Sequence, residues 1–313
     1  MIKKRRFAPV FITVLISACA SAPNNTPPAL LSNANTLIGN GVMQYNQANF
    51  SKANELFEQA MYLYRSIDNP RGTASSYIDL AKTALSQNHV ASAEHWIQKA
   101  QTIVTFEHLT NLQDHITIID SSIAIEKSDF VRAKKLLTPL LEPNSPTDTD
   151  TRLAAMQNRT RIAFAENNSA AEWTERYSKL VKHDQPRTEA RLARFRAALS
   201  TDITEQDKYY QQALDINRKL AWRPGLAATL SEWAEQNIQA HNYAAAKNRL
   251  ERALLIRLDL RDNHDTVAVL KQLDVVYAKL DQAARQQRAA YWVIRLGKNN
   301  FDSWDEVLKD FGS

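Results

Sequence analysis

Glycine is the first shortage: 313 residues contain six, at Gly39, Gly41, Gly72, Gly225, Gly297 and Gly312. A phosphate-cradling loop needs several glycines close together, because only a backbone without Cβ can come near the phosphate oxygens. Gly39-Asn40-Gly41 is the one close pair, and Gln44 stands where a third glycine would be needed. A Gly-x-Ser-x-Gly elbow is also missing, which removes one common nucleophile turn. Cysteine is scarcer still: the single thiol, Cys19, excludes an intrachain disulfide. The apolar run from Phe7 to Ile16 is about ten residues, whereas a helix needs roughly twenty to cross a bilayer. Alternating β-branched runs, the mark of half-buried strands, are hard to find, so the chain reads as all-α.

An excess of one charge is lacking too. The net charge of +5 comes mostly from Lys3, Lys4, Arg5 and Arg6, and without the first eighteen residues 35 basic side chains face 34 acidic ones. No clustered Lys/Arg stripe with interleaved aromatics is evident, so nucleic acid is not expected as a partner. Histidines occur in two loose pairs, His89 with His95 and His108 with His115 beside Asp114. Neither pair shows His-Glu-x-x-His or a cysteine companion, so they read as solvated surface, and no metal or cofactor is expected. Trp96, Trp233 and Trp292 fall on apolar faces and read as core, while Glu55 and Glu58 read as solvated helix surface.

What the chain does contain is repetition. Tyr209-Tyr210-Gln211-Gln212-Ala213-Leu214 is echoed by Leu250-Glu251-Arg252-Ala253-Leu254, with the hairpin turn His241-Asn242-Tyr243 between them. An aromatic or aliphatic residue recurs at steps of 40, at Phe50, Val90, Phe130 and Ala170; after a shorter unit of 33 the series resumes at Ile203, Tyr243 and Ala283. Three residues on come Ala53, Ala93, Ala133 and Ala246, and ten on come Ala60, Ala100, Ala213 and Ala253. Seven on is bulky in Phe57, Ile97, Leu137, Tyr177, Tyr210 and Leu250. Offsets of 0, 3, 7 and 10 lie on one helical face, with small residues where two helices must cross closely.

This pattern resembles the tetratricopeptide repeat, in the roughly 40-residue variety of kinesin light chain and related bacterial sensor and adaptor proteins. The linker Arg65-Ser66-Ile67-Asp68-Asn69-Pro70-Arg71-Gly72, echoed by Arg218-Lys219-Leu220-Ala221-Trp222-Arg223-Pro224-Gly225, is similar as well. Trp173, Gln206 and Gln286 depart from it by replacing the small crossing residue. The resemblance implies a right-handed superhelical solenoid of about seven helix-turn-helix repeats over residues 33–296, with a possible break at 142–150. Residues 297–313 would supply a capping helix, with Trp304, Val307, Leu308 and Phe311 on one face. Docking of that helix to a partner or a second copy is the alternative.

Residues 1–18 read as an export signal, with a basic start, an apolar stretch and small residues before Cys19. Leu15-Ile16-Ser17-Ala18-Cys19 resembles the bacterial lipobox. That resemblance implies cleavage between Ala18 and Cys19, diacylation of the thiol and acylation of the new amino terminus. Ala20, rather than Asp, follows the cysteine and resembles an outer-membrane address, with inner-membrane retention as the alternative. Residues 19–32, rich in Pro and short polar side chains, then read as a tether.

In related repeats the first helices line a concave groove. Carried onto this chain, the groove positions are Ile78 and Lys82, Ile118 and Ser122, Asn158 and Ile162, Arg191 and Phe195, Ser231 and Glu235, and Lys271 and Val275. The set is mixed in charge and lacks an all-cationic clamp. The expectation is a lipid-anchored periplasmic scaffold that holds envelope proteins, without enzymatic activity. The alternatives are a helical hydrolase with an unrecognised active site and a peptide-sensing signalling adaptor.

Overall fold

The computed structural model describes residues 28–182, 184–298 and 303–311. The expected signal, Ala18, Cys19 and most of the tether lie outside the described residues, as does part of the 297–313 segment. Among the described residues there are α-helices, one short 3-10 turn at Thr110–Leu112 and no strand. The helices pair as α1 (Ala29–Asn46) with α2 (Phe50–Ser66), α3 (Pro70–Ser86) with α4 (Val90–Phe106), α5 (Gln113–Glu126) with α6 (Phe130–Leu141), and α7 (Thr149–Ala165) with α8 (Ala170–Ser178). They continue as α9 (Pro186–Leu199) with α10 (Ile203–Lys219), α11 (Arg223–Gln239) with α12 (Tyr243–Asp259), and α13 (Asn263–Lys279) with α14 (Ala283–Gly297), and end with α15 (Trp304–Phe311). From α1 to α14 each helix packs on its neighbours in chain order, and α15 folds back on α12, which makes the molecule an all-α helical repeat solenoid.

Every residue of the 40-step series is the first residue of a second helix: Phe50, Val90, Phe130, Ala170, Ile203, Tyr243 and Ala283. The turns explain the step. In nine of them one residue takes the left-handed conformation, at Ala48, Asp68, Asn88, His108 and Ser128, then at Ala221, His241, Arg261 and Asp281, always 20 apart within each series, while the α7–α8 turn has two, Asn167 and Ser169. The amide of the next residue then bonds back five positions to the helix just ended, as in Asn69 N to Tyr64 O at 2.9 Å and Asn242 N to Asn237 O at 2.8 Å. That residue becomes the N-cap of the following helix. Asn69, Asp129, Asn242 and Asp262 also close a side-chain cap. The shortened unit follows from a nine-residue α8 and a fourteen-residue α9, partly offset by a longer connector.

All the crossing alanines, Ala53, Ala93, Ala133, Ala246, Ala60, Ala100, Ala213 and Ala253, are fully buried. A methyl group there lets two backbones approach while the bulky residue between them fills the layer. At Trp173, where a large ring replaces alanine, α8 is the shortest of the second helices, and the indole lies half-buried between Arg159 and Arg176. The core is therefore a string of linked clusters, one per few helices, and has no single centre. Trp233 and Trp292 are buried, and Trp96 is half-buried and stacks on Tyr77 at 5.5 Å. Glu55 is exposed and Glu58 half-buried. The connector 142–148 is held at both sides, since Thr147 Oγ1 donates to Asp114 Oδ2 at 3.1 Å and Arg152 Nη2 to Ser145 O at 2.8 Å. At the C-terminal end Val307 is fully buried, and Trp304, Leu308 and Phe311 pack on the same cluster as α12 to α14. Trp292 Nε1 donates to Asp310 Oδ2 at 2.6 Å, so α15 covers the last hairpin.

Candidate binding lumen

Curvature brings the first hairpin back against the fifth and sixth. Trp222, the residue before α11, sets its ring 6.4 Å from Tyr45 and 6.5 Å from Phe50, the latter edge-on at 89°. The guanidinium of Arg187 stacks on the other side of that indole, 3.9 Å from the ring centre. It also donates to Asn46 Oδ1 at 3.0 Å and Asn46 O at 2.8 Å. Arg223 Nη2 reaches Gln47 O, Ala48 O and Asn49 Oδ1 at 3.2, 3.4 and 3.0 Å. The α1–α2 turn is thus clasped by the start of α9 and the α10–α11 turn, and the first helices of the intervening hairpins enclose a lumen.

Two cavities with Lys82 in both linings occupy it. The larger, about 640 Å³, lies between α3, α5 and the start of α7, and is lined by Ile78, Asp79, Lys82, His115, Ile118 and Asp148 among others. Burial pushes the Asp79 carboxyl up to about 6, against the pull of Lys82 and His115. Asp148 caps α7, accepting from the Asp150 and Thr151 amides and from Thr151 Oγ1, and these bonds hold its carboxyl below the usual range. The smaller cavity, about 180 Å³, shares Lys82 and is walled by Arg187, Arg191 and Arg194 with Tyr45 and Trp222. Lys82 Nζ sits 4.8 Å above the Tyr45 ring. Arg194 makes a two-pronged ion pair with Glu232, with Nε to Oε2 at 2.7 Å. Burial lowers Arg194, but Glu232 more than offsets this and holds it above the ordinary value. Among the described residues Arg191 makes no direct ion pair: burial, reinforced by the charge of Arg194 and only partly opposed by Tyr177 and the more distant Glu232, pushes its guanidinium down to about 10.

Of the expected groove residues, Ile78, Lys82, Ile118 and Arg191 line these cavities. Asn158 is buried instead, donating to Ser121 Oγ and Ser122 Oγ at 2.9 and 2.8 Å, and Ile162 is core. Phe195 stacks on Phe164 at 5.4 Å and meets Tyr177 edge-on, inside a packing layer. Glu235, Lys271 and Val275 are exposed and line neither cavity, and Ser231 Oγ is buried without a hydrogen-bond partner. The sequence reading missed Asp79, His115, Arg187, Arg194 and Trp222. The lining is mixed in the larger cavity, but in the smaller one Arg187, Arg191 and Arg194, spaced by four and three, share one face of α9 and meet Lys82 across the cavity. That spacing was visible in Pro186-Arg187-Thr188-Glu189-Ala190-Arg191-Leu192-Ala193-Arg194, where Glu189 is the only acid of the helix. His89, His95, His108 and His115 are all exposed. Among the described residues no group of three or more His, Cys, Asp or Glu is arranged to hold a metal ion. No described helix is long and apolar enough to cross a membrane.

No protein-family model matches the chain, and neither does any curated protein sequence. Among solved structures it is similar to the crystal structure of BtubC (BKLC) from P. vanneervenii, at 16% identity and a TM-score of 0.47, covering 70% of this chain and 94% of that one.

Proposed function

We propose that this chain is a lipid-anchored binding protein of the bacterial envelope, built from tetratricopeptide-like repeats, whose lumen holds part of a protein partner beside the membrane. The observation that carries the binding reading is the lumen itself. Its walls are first helices, its lining is ionisable, and the clasp at Trp222 holds its two sides together. Asp148, Arg187 and Arg194 also serve the fold, but among the described residues Lys82 and Arg191 are in no ion pair while the layers are closed by alanine and aromatic packing, and such charges facing an open cavity fit recognition better than packing. The anchoring part rests on Leu15-Ile16-Ser17-Ala18-Cys19 and on the short apolar run before it. Two or more acyl chains hold a protein firmly, because each buried methylene contributes about 0.8 kcal/mol.

Two measurements test the two parts. Cys19→Ser should move the protein from the membrane fraction to the soluble fraction, and unchanged membrane retention would refute the anchor. A photo-crosslinker placed at Ile78, in the lumen, should trap an envelope protein in living cells, whereas the same group at exposed Tyr62 on α2 should not. Equal trapping at both positions, or at neither, would count against the lumen.

A further inference from the structure

The small cavity has a charge imbalance that its own residues do not resolve. Four cationic side chains line it, Lys82, Arg187, Arg191 and Arg194, and no carboxylate does. Glu232, the nearest acid engaged there, is held by Arg194 through both oxygens. Arg187 is occupied by Asn46 and by the Trp222 ring. Among the described residues no ion pair engages Arg191 or Lys82. Asp79, one turn before Lys82 on the same helix, acts on Lys82 from the larger cavity, which both line, and does not itself line the small one. Glu232 acts on Arg191 only from a distance, since both its oxygens are held by Arg194, and a half-buried guanidinium with no direct ion pair is costly to keep in a packed wall.

We propose that Arg191 and Lys82 form the recognition pair of an oxyanion site, which takes a single phosphate or carboxylate group in the cup closed by Tyr45 and Trp222. The volume of about 180 Å³ suits such a group and little more. Guanidinium offers a planar two-pronged donor and ammonium a compact point charge, a combination that fits either anion. Arg187 and Arg194 act as positioning residues: one ties the cup to the first hairpin, and the other fixes the face of α9 against α11 through Glu232. The site exists only because the array closes, since Lys82 belongs to the second hairpin and Arg191 to the fifth. The inference rests on the lumen being a binding site, but on neither the lipid anchor nor a protein partner.

The test is calorimetric titration of the full-length chain in mild detergent with two probes, inorganic phosphate and an amidated hexaglutamate peptide. At least one should bind saturably, and Arg191→Gln should weaken it at least tenfold, with Arg191→Lys recovering part of the loss. Tightest binding by phosphate identifies a phosphate ligand, and by the peptide an acidic side chain. Lys52→Gln, on the exposed second helix of the first hairpin, should leave affinity unchanged. Without ligand, Arg191→Gln should melt at or above the wild-type temperature, because it removes an unpaired charge; a lower melting temperature would mark Arg191 as a structural residue and overturn the proposal. So would undiminished affinity in Arg191→Gln, or no saturable binding of either probe. Trapping of a partner at Ile78 in those last cases would leave the lumen standing as a binding surface and remove only the anion site.

Discussion

At the scale of single residues, Asp79 is a lumen carboxylate whose ionisation the fold disturbs strongly. Its ordinary value is 3.8, and burial raises it to about 6. The native chain therefore holds this proton more tightly than the unfolded chain does. The associated stability is complete below about pH 4 and is lost as pH rises through about 6. A two-unit shift corresponds to about 3 kcal/mol, and water in the cavity reduces this to about 1–2 kcal/mol. Asp79→Asn has no such proton to lose, so in urea unfolding the wild type should lose stability relative to it between pH 4.5 and 7. A difference that stays constant across that interval would refute the assignment. Gly72 is a second sensitive position, for steric reasons. A Cβ there would meet the Tyr64 ring at 2.3 Å, because the start of α3 is pressed onto the end of α2. Gly72→Ala should therefore cost about 1–2 kcal/mol, overpacking exceeding the gain in helix propensity, and a melting curve equal to wild type would contradict it.

At the scale of the helix and its turn, the 20-residue rhythm is carried by left-handed residues that are not glycine. Ala48, Asp68, Asn88, His108, Ser128, Ala221, His241, Arg261 and Asp281 all have φ between 49° and 59°. This is why the glycine shortage gave no warning of where helices end: the signal usually read at a C-terminus is missing, and the five-residue back bond with the next N-cap does its work. Several starts of second helices were legible all the same, since Phe50, Val90, Phe130 and Tyr243 are buried or half-buried and an alanine follows each three positions later. A left-handed conformation costs an alanine about 1–2 kcal/mol, and asparagine less, because its short side chain tolerates that region. Ala221→Gly should thus stabilise the chain by about 0.5–1 kcal/mol, after allowing for the greater freedom of glycine when unfolded, and Asn88→Gly by less. Equal gains at the two sites, by chemical denaturation, would show that the turns are strained alike.

At the scale of the whole molecule, the layers were legible and the closure was not. Periodicity says which face of a helix is inward, and the resemblance to known repeats carried Ile78, Lys82 and Arg191 onto the lumen. Superhelix radius depends on small packing angles summed over many layers, so no local pattern announced that Trp222 would meet Tyr45, or that Phe195 would be lost to a packing layer. The same dependence makes the clasp the point where global shape is most easily changed. Removing the Trp222 ring takes away the contact to Tyr45, Phe50 and Arg187 at once, while leaving every helix with its sequential neighbours. Trp222→Ala should accordingly leave helix content unchanged and let the first hairpin swing free. Small-angle scattering would then give a larger radius of gyration, and amides of α1 would exchange faster with deuterium than those of α11. An unchanged radius, with exchange slowed or unaltered in α1, would mean that the curl is set by the layers alone and that the clasp only follows it.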